Sequence, residues 1–287
     1  MNADSRPLVS IIVPSYNQGQ YIENTIQSIL NQDYKMIELI VVDGNSSDGT
    51  LNVLKRYEAH VRYISERDNG QSEAINKGFR IAQGDIITWL NSDDLYPDRR
   101  AVSMIVDEFE QHPECDIIYG DFIEIDENNA VLRIYKRPNF SHKRLLRIGY
   151  ISQPSTFFRR SVVDNMQVRE DLQYAMDLEY WLRAHRLNYK FKHIDFLIAA
   201  ERVHDNAKCV GKKHEMIAEA RSVRLDYGAS FDRMYTFYRL GDRLLLYLTR
   251  LSGIFELFYY PNNPNRLTIP LTFDGAIMRT LLVHFLS

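Results

Sequence analysis

Four apolar runs punctuate the first third of the chain, and each ends in a polar loop: Leu8–Val13, Ile37–Val42, Val61–Ser65 and Ile86–Leu90. Between them the apolar spacing turns helical, through Tyr21, Ile22, Thr25, Ile26, Ile29 and Leu30, then Thr50–Tyr57, then Gln71–Ala82. Strands that alternate with helices require right-handed crossovers, which lay a mostly parallel sheet between two helix layers. The chain is thereby confined to the α/β class with a Rossmann-like sheet. Pro14 is expected to stop the first strand, because it has no donor for a ladder.

A parallel sheet delivers all four loops to one edge, where open α/β sheets bind ligands. Those loops hold Asn17, Asp43, Ser46, Asp48, Asp68, Asn69 and Asp93, more polar side chains than turn formation requires. The fourth run is the most abrupt, since Trp89-Leu90 gives way to Asn91-Ser92-Asp93-Asp94 before Leu95-Tyr96-Pro97. Pro97 suits the first turn of a helix running to Gln111. Two readings remain for the carboxylates: one caps that helix, or Asp93 belongs to a metal site.

Beyond Gln111 the alternation breaks. Asp116–Phe122 and Ala130–Tyr135 read as a hairpin, Ser141–Gly149 as a basic helix, and Gln153–Arg159 as a loop and short strand. Leu172–Asn188 is a helix that buries Leu178, Trp181 and Leu182 and carries Asp177 and Glu179 beside that face. Lys190–Ile194 and Ile198–Val203 are strands, followed by His204, a residue either structural or metal-ligating. Lys213–Tyr227 is a helix of mixed charge. Leu244–Tyr260 is amphipathic, with Arg250 and Glu256 opposite its apolar stripe. It either packs on the main domain or a second copy in a homodimer, or docks peripherally on a membrane through 239–260, aided by Arg239, Arg243 and Arg250.

Composition removes several classes. A formal net charge of −3 over 287 residues argues against a general nucleic-acid binder, so no nucleic-acid partner is expected. Cys115 and Cys209 stand alone, which excludes a disulfide framework or zinc cluster and fits a reducing compartment. Leu8–Val13 is too short for a signal-peptide core, and Arg250 and Glu256 interrupt the most apolar segment. The expected location is cytoplasmic, at most against the inner face of the plasma membrane. Pro14–Gly19 holds one glycine and neither Lys nor Arg, which disfavours a sugar nucleotidyltransferase loop. No Gly-x-Gly-x-x-Gly follows a strand, which disfavours a dinucleotide enzyme.

The segments Val9-Ser10-Ile11-Ile12-Val13-Pro14-Ser15-Tyr16-Asn17, Ile40-Val41-Val42-Asp43-Gly44-Asn45-Ser46-Ser47-Asp48-Gly49-Thr50, Asn76-Lys77-Gly78 with Gly84-Asp85, and Asn91-Ser92-Asp93-Asp94 together resemble the family-2 glycosyltransferases of GT-A fold, over residues 7–210. The resemblance implies a catalytic domain over 1–210, with a nucleotide-binding half at about 7–96 and an acceptor half at about 97–210, and a mainly helical extension at 211–287. It implies an inverting transfer of one sugar from a UDP-, dTDP- or GDP-linked donor to a saccharide or lipid-linked acceptor, in cell-surface polysaccharide assembly. Pro14, Ser15, Tyr16, Asn17 and Asp43 would hold the nucleotide, with Ser46, Asp68, Asn69, Lys77, Asn91 and Ser92 around the donor. Asp93 would bind a divalent cation, Mn or Mg, completed by His204. Asn91 stands where the family carries its first Asp. Asp177 aligns with the general base, with Glu179 as fallback, and Met176 replaces a common Glu. Gln153, Pro154, Ser155, Glu179 and Arg183 would line the acceptor side. The Gln-x-x-Arg-Trp element of processive synthases is missing, so one sugar is expected per encounter. The departures at Asn91 and Met176 keep a catalytically idle sugar-nucleotide binder or scaffold as the competing reading.

Overall fold

A computed structural model of the chain describes residues 6–205, 208, 211–230, 240–241 and 243–244. The repeat read from the sequence is β1 (Val9–Ser15), α1 (Ile22–Leu30), β2 (Ile37–Asp43), α2 (Thr50–Arg56), β3 (Arg62–Ser65), α3 (Gln71–Ile81) and β4 (Ile86–Trp89). Then follow α4 (Ala101–Gln111), β5 (Ile117–Ile125), β6 (Val131–Tyr135), α5 (His142–Leu145), β7 (Thr156–Arg159), α6 (Arg160–Asn165), α7 (Met176–Arg186), β8 (Phe191–Arg202) and α8 (Lys213–Asp226). The strands form one eight-stranded sheet in the order β3-β2-β1-β4-β7-β5-β6, with β8 pairing β5.

β1 pairs in parallel with β2 and β4, and β2 with β3, so all four end at one edge. β7 runs antiparallel between β4 and β5, while β8 lies parallel to β5. Helices cover both faces. α1, α2 and α4 bury Ile22, Ile26, Leu54, Val102 and Ile105 against one side. On the other side α3, α6 and α7 bury Ile75, Phe79, Val162, Tyr180 and Trp181.

Pro14 does not stop β1. It pairs with Val42 in a ladder that continues to Ser15 and Asp43. Residues two apart face the same side, so Pro14 faces β4 as Ile12 does, and the β4 ladder ends at Trp89 opposite Ile12. A missing N–H costs nothing there. Pro97 does not open α4 either. Asp98 accepts from the Arg100 N–H at 2.9 Å in a turn that delays the helix to Ala101. The two strands expected at 190–203 are one strand with a register shift against β5. The strands approach so closely that a Cβ on Gly120 would lie 2.4 Å from Ile198 Cγ1 and 2.7 Å from the Phe196 carbonyl oxygen, so only glycine fits.

The helix expected from Leu172 starts at Met176. Before it, Glu219 of α8 accepts from the N–H groups of Gln173, Tyr174 and Ala175 at 3.1, 2.7 and 2.7 Å. A distant carboxylate thus fixes the start of α7, which the local sequence does not encode. Trp89 at the end of β4 stacks on Phe158 of β7 and Trp181 of α7 at centroid separations of 5.5 and 5.9 Å, with Tyr180 edge-on at 5.8 Å. That aromatic block couples the strand before Asn91 to the helix bearing Asp177. Among the described residues no helix is long and apolar enough to cross a membrane. Of the amphipathic segment, everything from residue 245 lies outside the described residues, as does Arg239.

Candidate active site

The loops after β1 and β2 knit together at the carboxyl edge. Asn17 sits in the left-handed region, at φ 52, which Asn tolerates better than most residues. Its N–H donates to Ser46 Oγ at 2.8 Å and its Oδ1 accepts from the Ser47 N–H at 2.9 Å. Asp43 is fully buried and accepts from the Ser46 N–H at 3.0 Å, from Ser46 Oγ, and from Ser65 Oγ at 2.7 Å. Ser15 Oγ is buried with no partner among the described residues, and Tyr16 is 63% exposed beside it on the rim of the edge.

The third loop bonds within itself and to α3. Asp68 accepts from the Gly70 N–H at 3.0 Å and lies where a Cβ on Gly44 would meet its Oδ2 at 2.9 Å. Asn69 is held by Glu73 through its N–H and Nδ2 at 2.9 and 2.7 Å. Lys77 is claimed by Glu66 and Glu73, both at 3.0 Å.

The fourth loop is held from three sides. Asn91 Nδ2 donates to Asp94 at 2.9 Å, and its Oδ1 accepts from Gln71 Nε2 at 2.7 Å. Thr25 Oγ1 donates to the Ser92 and Asp94 carbonyls at 2.9 and 2.7 Å. Asp94 is buried and accepts from the Arg202 N–H at 2.9 Å, while Arg202 Nε donates to the Asp93 carbonyl at 2.9 Å. Asp94 therefore ties the loop to β8, where Leu95 bridges Ala200, rather than capping α4. Burial first, then the charges of Asp93 and Glu201, push Asp94 well above the usual carboxylate range. With Asp94 so enclosed, Asp93 is the more accessible carboxylate of the two. Its Oδ2 lies 3.0 Å from His204 Nε2, and that ring packs 4.6 Å from Tyr21. His204 Nδ1 is buried without a partner among the described residues. An oxygen and an imidazole nitrogen brought together from elements far apart in sequence are a pair that could hold a divalent cation. Among the described residues no group of three or more His, Cys, Asp or Glu forms a complete metal cage.

Of the residues expected to line the acceptor side, Gln153 donates from Nε2 to the Trp89 carbonyl, and its Oε1 is buried with no partner among the described residues. Ser155 is buried and donates to Gly120 O at 3.1 Å, next to Pro154. Asp177 lies in the first turn of α7, where its Oδ1 accepts from the Leu178 N–H at 2.7 Å. Burial raises its pKa, opposed by backbone hydrogen bonds and by Arg224 and Lys208. Glu179 faces elsewhere: it is 1% exposed, accepts from Tyr227 Oη at 2.7 Å, and pairs with Arg183 at 3.1 Å. Arg183 also donates to the Gln167 carbonyl. The Tyr227–Glu179 hydrogen bond joins α7 to the end of α8, apart from Asp177.

Residues that the sequence reading passed over complete the edge. Glu201 accepts from Ser152 Oγ at 2.5 Å, and its field reaches Asp94 on one side and Asp177 on the other. Lys208 donates to Gln71 Oε1 at 3.2 Å and contributes positive charge near Asp177. The signal for Glu201 and Arg202 is their place where the apolar Ile198-Ala199-Ala200 stops, the pattern that singles out Asp93.

Residues 10–166 match the profile of glycosyl transferase family 2. The chain is 32% identical over 194 residues to chondroitin synthase from Escherichia coli, covering 66% of this chain and 28% of that protein. It is 30% identical over 184 residues to the putative teichuronic acid biosynthesis glycosyltransferase TuaG from Bacillus subtilis, covering 62% of this chain and 71% of that protein. The chain spans 28%, 22% and 32% of the length of the first curated relatives it matches. Among solved structures, mannosyltransferase PcManGT from Pyrobaculum calidifontis in complex with GDP-Man and Mn2+ aligns with a TM-score of 0.62 at 18% identity, covering 99% of this chain and 82% of that chain. S. aureus TarS 1-349 in complex with UDP-GlcNAc aligns with a TM-score of 0.62 at 18% identity, covering 97% and 86%. At such identity these two likenesses speak to the fold. With the family profile spanning residues 10–166 of 287, the chain belongs to glycosyl transferase family 2 and has the GT-A fold.

Proposed function

We propose that the chain transfers one sugar from a nucleotide-diphosphate sugar to a hydroxyl of a saccharide or lipid-linked acceptor, inverting the anomeric carbon, with Asp177 as general base. The observation that carries this reading is the meeting of the Asp93–His204 pair and Asp177 at one sheet edge, bridged by Glu201. Inversion needs a carboxylate on the face opposite the leaving diphosphate, and α7 approaches from the acceptor half while β1, β2 and β4 supply the donor half. Asp177 accepts the proton of the attacking hydroxyl, and burial makes it a stronger base than an exposed Asp. Glu179 is enclosed by Tyr227 and Arg183, which favours Asp177 for the role.

On the donor side, exposed Tyr16 and the loop at Asn17 offer a platform for the base, and the one lone pair left on Asp43 Oδ1 can accept from a base N–H. Asp68 and Asn69 of the third loop, Lys77 of α3, and Asn91 and Ser92 of the fourth loop would surround the donor. Asp93 and His204 would hold a divalent cation, which supplies positive charge to the departing diphosphate. Relatives of this fold include one solved with GDP-Man and Mn2+ and one with UDP-GlcNAc, so both nucleotides belong among the trial donors.

The test is a panel of UDP-, dTDP- and GDP-sugars scored for Mn2+-dependent thermal stabilisation and slow donor hydrolysis. We expect at least one donor to score in both. Asp177→Asn should lower turnover by about 10²–10⁴-fold, the span of general-base catalysis, while that donor still stabilises the protein. Undiminished turnover in the variant would remove Asp177 from the role. A panel that neither stabilises nor reacts refutes the proposal.

A further inference from the structure

The helix that carries Asp177 has no cap of its own. Ala175 stands at the capping position of α7 without a side-chain oxygen, and the Leu178 N–H is taken by Asp177 Oδ1 at 2.7 Å. Glu219 of α8 fills the place of a cap. Its Oε1 accepts from the Tyr174 and Ala175 N–H groups, both at 2.7 Å, and each of its oxygens accepts from the Gln173 N–H at 3.1 Å. Three successive N–H groups converge on one carboxylate at the positive end of a helix, and such charge-assisted bonds are about twice as strong as neutral ones.

Glu219 reaches α7 from a fixed base. Glu219, Val223 and Tyr227 stand four residues apart and share one face of α8. Val223 is buried in the cluster that holds Leu178, Tyr180 and Trp181, and Tyr227 Oη donates to Glu179 at 2.7 Å. One stripe of α8 thus carries the carboxylate, the packing and a second hydrogen bond to α7. From the opposite direction the start of α7 meets the start of α3, where Ser72 Oγ donates to Met176 Sδ at 2.9 Å. Lys208 Nζ lies over the Tyr174 ring, 5.9 Å from its centroid, and donates to Gln71, whose Nε2 donates to Asn91. Residues 173–176 are therefore held between α8 and the donor half, directly before Asp177.

A general base must stand within hydrogen-bond reach of the proton it takes, and a misplacement of about 1 Å costs about a hundredfold in rate. Building on the transferase reading above, we infer that Glu219 is a positioning residue for Asp177: by holding the three N–H groups ahead of α7 it sets where the base stands relative to the donor. Glu219 acts through Asp177 and not on the reactants. α8 lies in the extension expected at 211–287, so that part of the chain serves the reaction as well as the 1–210 domain.

The experiment compares the full chain with Glu219→Ala, Glu219→Gln, Asp177→Asn and the double variant that joins Asp177→Asn to Glu219→Ala. Glu215→Gln, exposed one turn earlier on α8, is the charge control and should behave as the wild type. Amide hydrogen exchange reads the helix start without substrate: Glu219→Ala should speed exchange at residues 173–178 by about tenfold or more, and Glu219→Gln, whose amide oxygen still accepts, by much less. In Mn2+-dependent hydrolysis of UDP-, dTDP- and GDP-sugars, where water takes the place of the acceptor hydroxyl, Glu219→Ala should lower kcat by about ten- to hundredfold and leave the donor KM within about twofold. Glu219→Gln should recover most of that loss. The double variant should be no slower than Asp177→Asn alone, because Glu219 works through the group already removed. Glu219→Asp, a shorter carboxylate that must draw the helix start toward α8, should lose kcat in the same way and carries the comparison if the Ala variant does not fold. Unchanged exchange or unchanged kcat in Glu219→Ala, a Gln variant as slow as the Ala variant, or losses that multiply in the double variant overturn the inference. A wild-type chain that hydrolyses none of these donors, or an Asp177→Asn chain as fast as the wild type, refutes the transferase reading instead.

Discussion

Replacing Glu201 by Gln should stabilise the protein, by an amount that grows with pH. Burial, more than any other influence, raises this carboxyl from 4.5 to about 7. The folded chain thus holds a proton that the unfolded chain has released between those two values, and stability falls as pH rises through the window. That rise corresponds to about 3 kcal/mol of destabilisation once both states are ionised. Linkage gives a penalty of about 0.8 kcal/mol at pH 5 and about 3.3 kcal/mol at pH 8. Solvent reaching the free oxygen screens part of this, leaving a pH-dependent difference of about 1–2 kcal/mol. Gln has no charge to bury and retains an acceptor for Ser152, so the variant should escape the penalty. Urea denaturation of both proteins at pH 5 and pH 8 reads it directly, and thermal midpoints should separate by roughly 2–8 °C more at pH 8 than at pH 5. A variant advantage that is constant or shrinks as pH rises would refute the claim that Glu201 is an uncomfortable buried acid.

Two further outcomes probe the scaffold and the donor half. Gly78 of α3 faces β1 so tightly that a Cβ would lie 2.3 Å from Ile12 Cγ2, so Gly78→Ala should cost about 1–2 kcal/mol in urea denaturation. Its gain in helix propensity, about 1 kcal/mol, is smaller than the overpacking, and an equally stable variant would show that α3 can shift. Asp93→Ala and His204→Ala should each weaken UDP binding in Mn2+ by about tenfold or more in calorimetry, and EDTA should do the same to the wild-type chain. Equal UDP affinity with and without the metal would refute a cation role for the pair.

The period of the sequence determined the first half of the fold. β1, α1, β2, α2, β3, α3 and β4 stand within a few residues of where apolar runs and helical spacing put them, because each is a local pattern on a short stretch of chain. The polar residues at the strand ends were legible for the same reason, since parallel strands must bring their loops to one edge. What pairs with what was not legible. Asp93 meets His204 across 111 residues of chain, Ser152 aims Glu201 across 49, and Glu219 starts α7 from α8. Asp93 and Asp94 look alike in sequence, yet Arg202 and Asn91 enclose one and leave the other more accessible. Asp177 and Glu179 look equally suited to a cleft, yet the α8 contact engages only Glu179. Such choices follow from where β8 and α8 return to the edge. Burial and partner geometry belong to the folded chain as a whole, and so the tertiary structure alone decided which carboxylates remain available for chemistry.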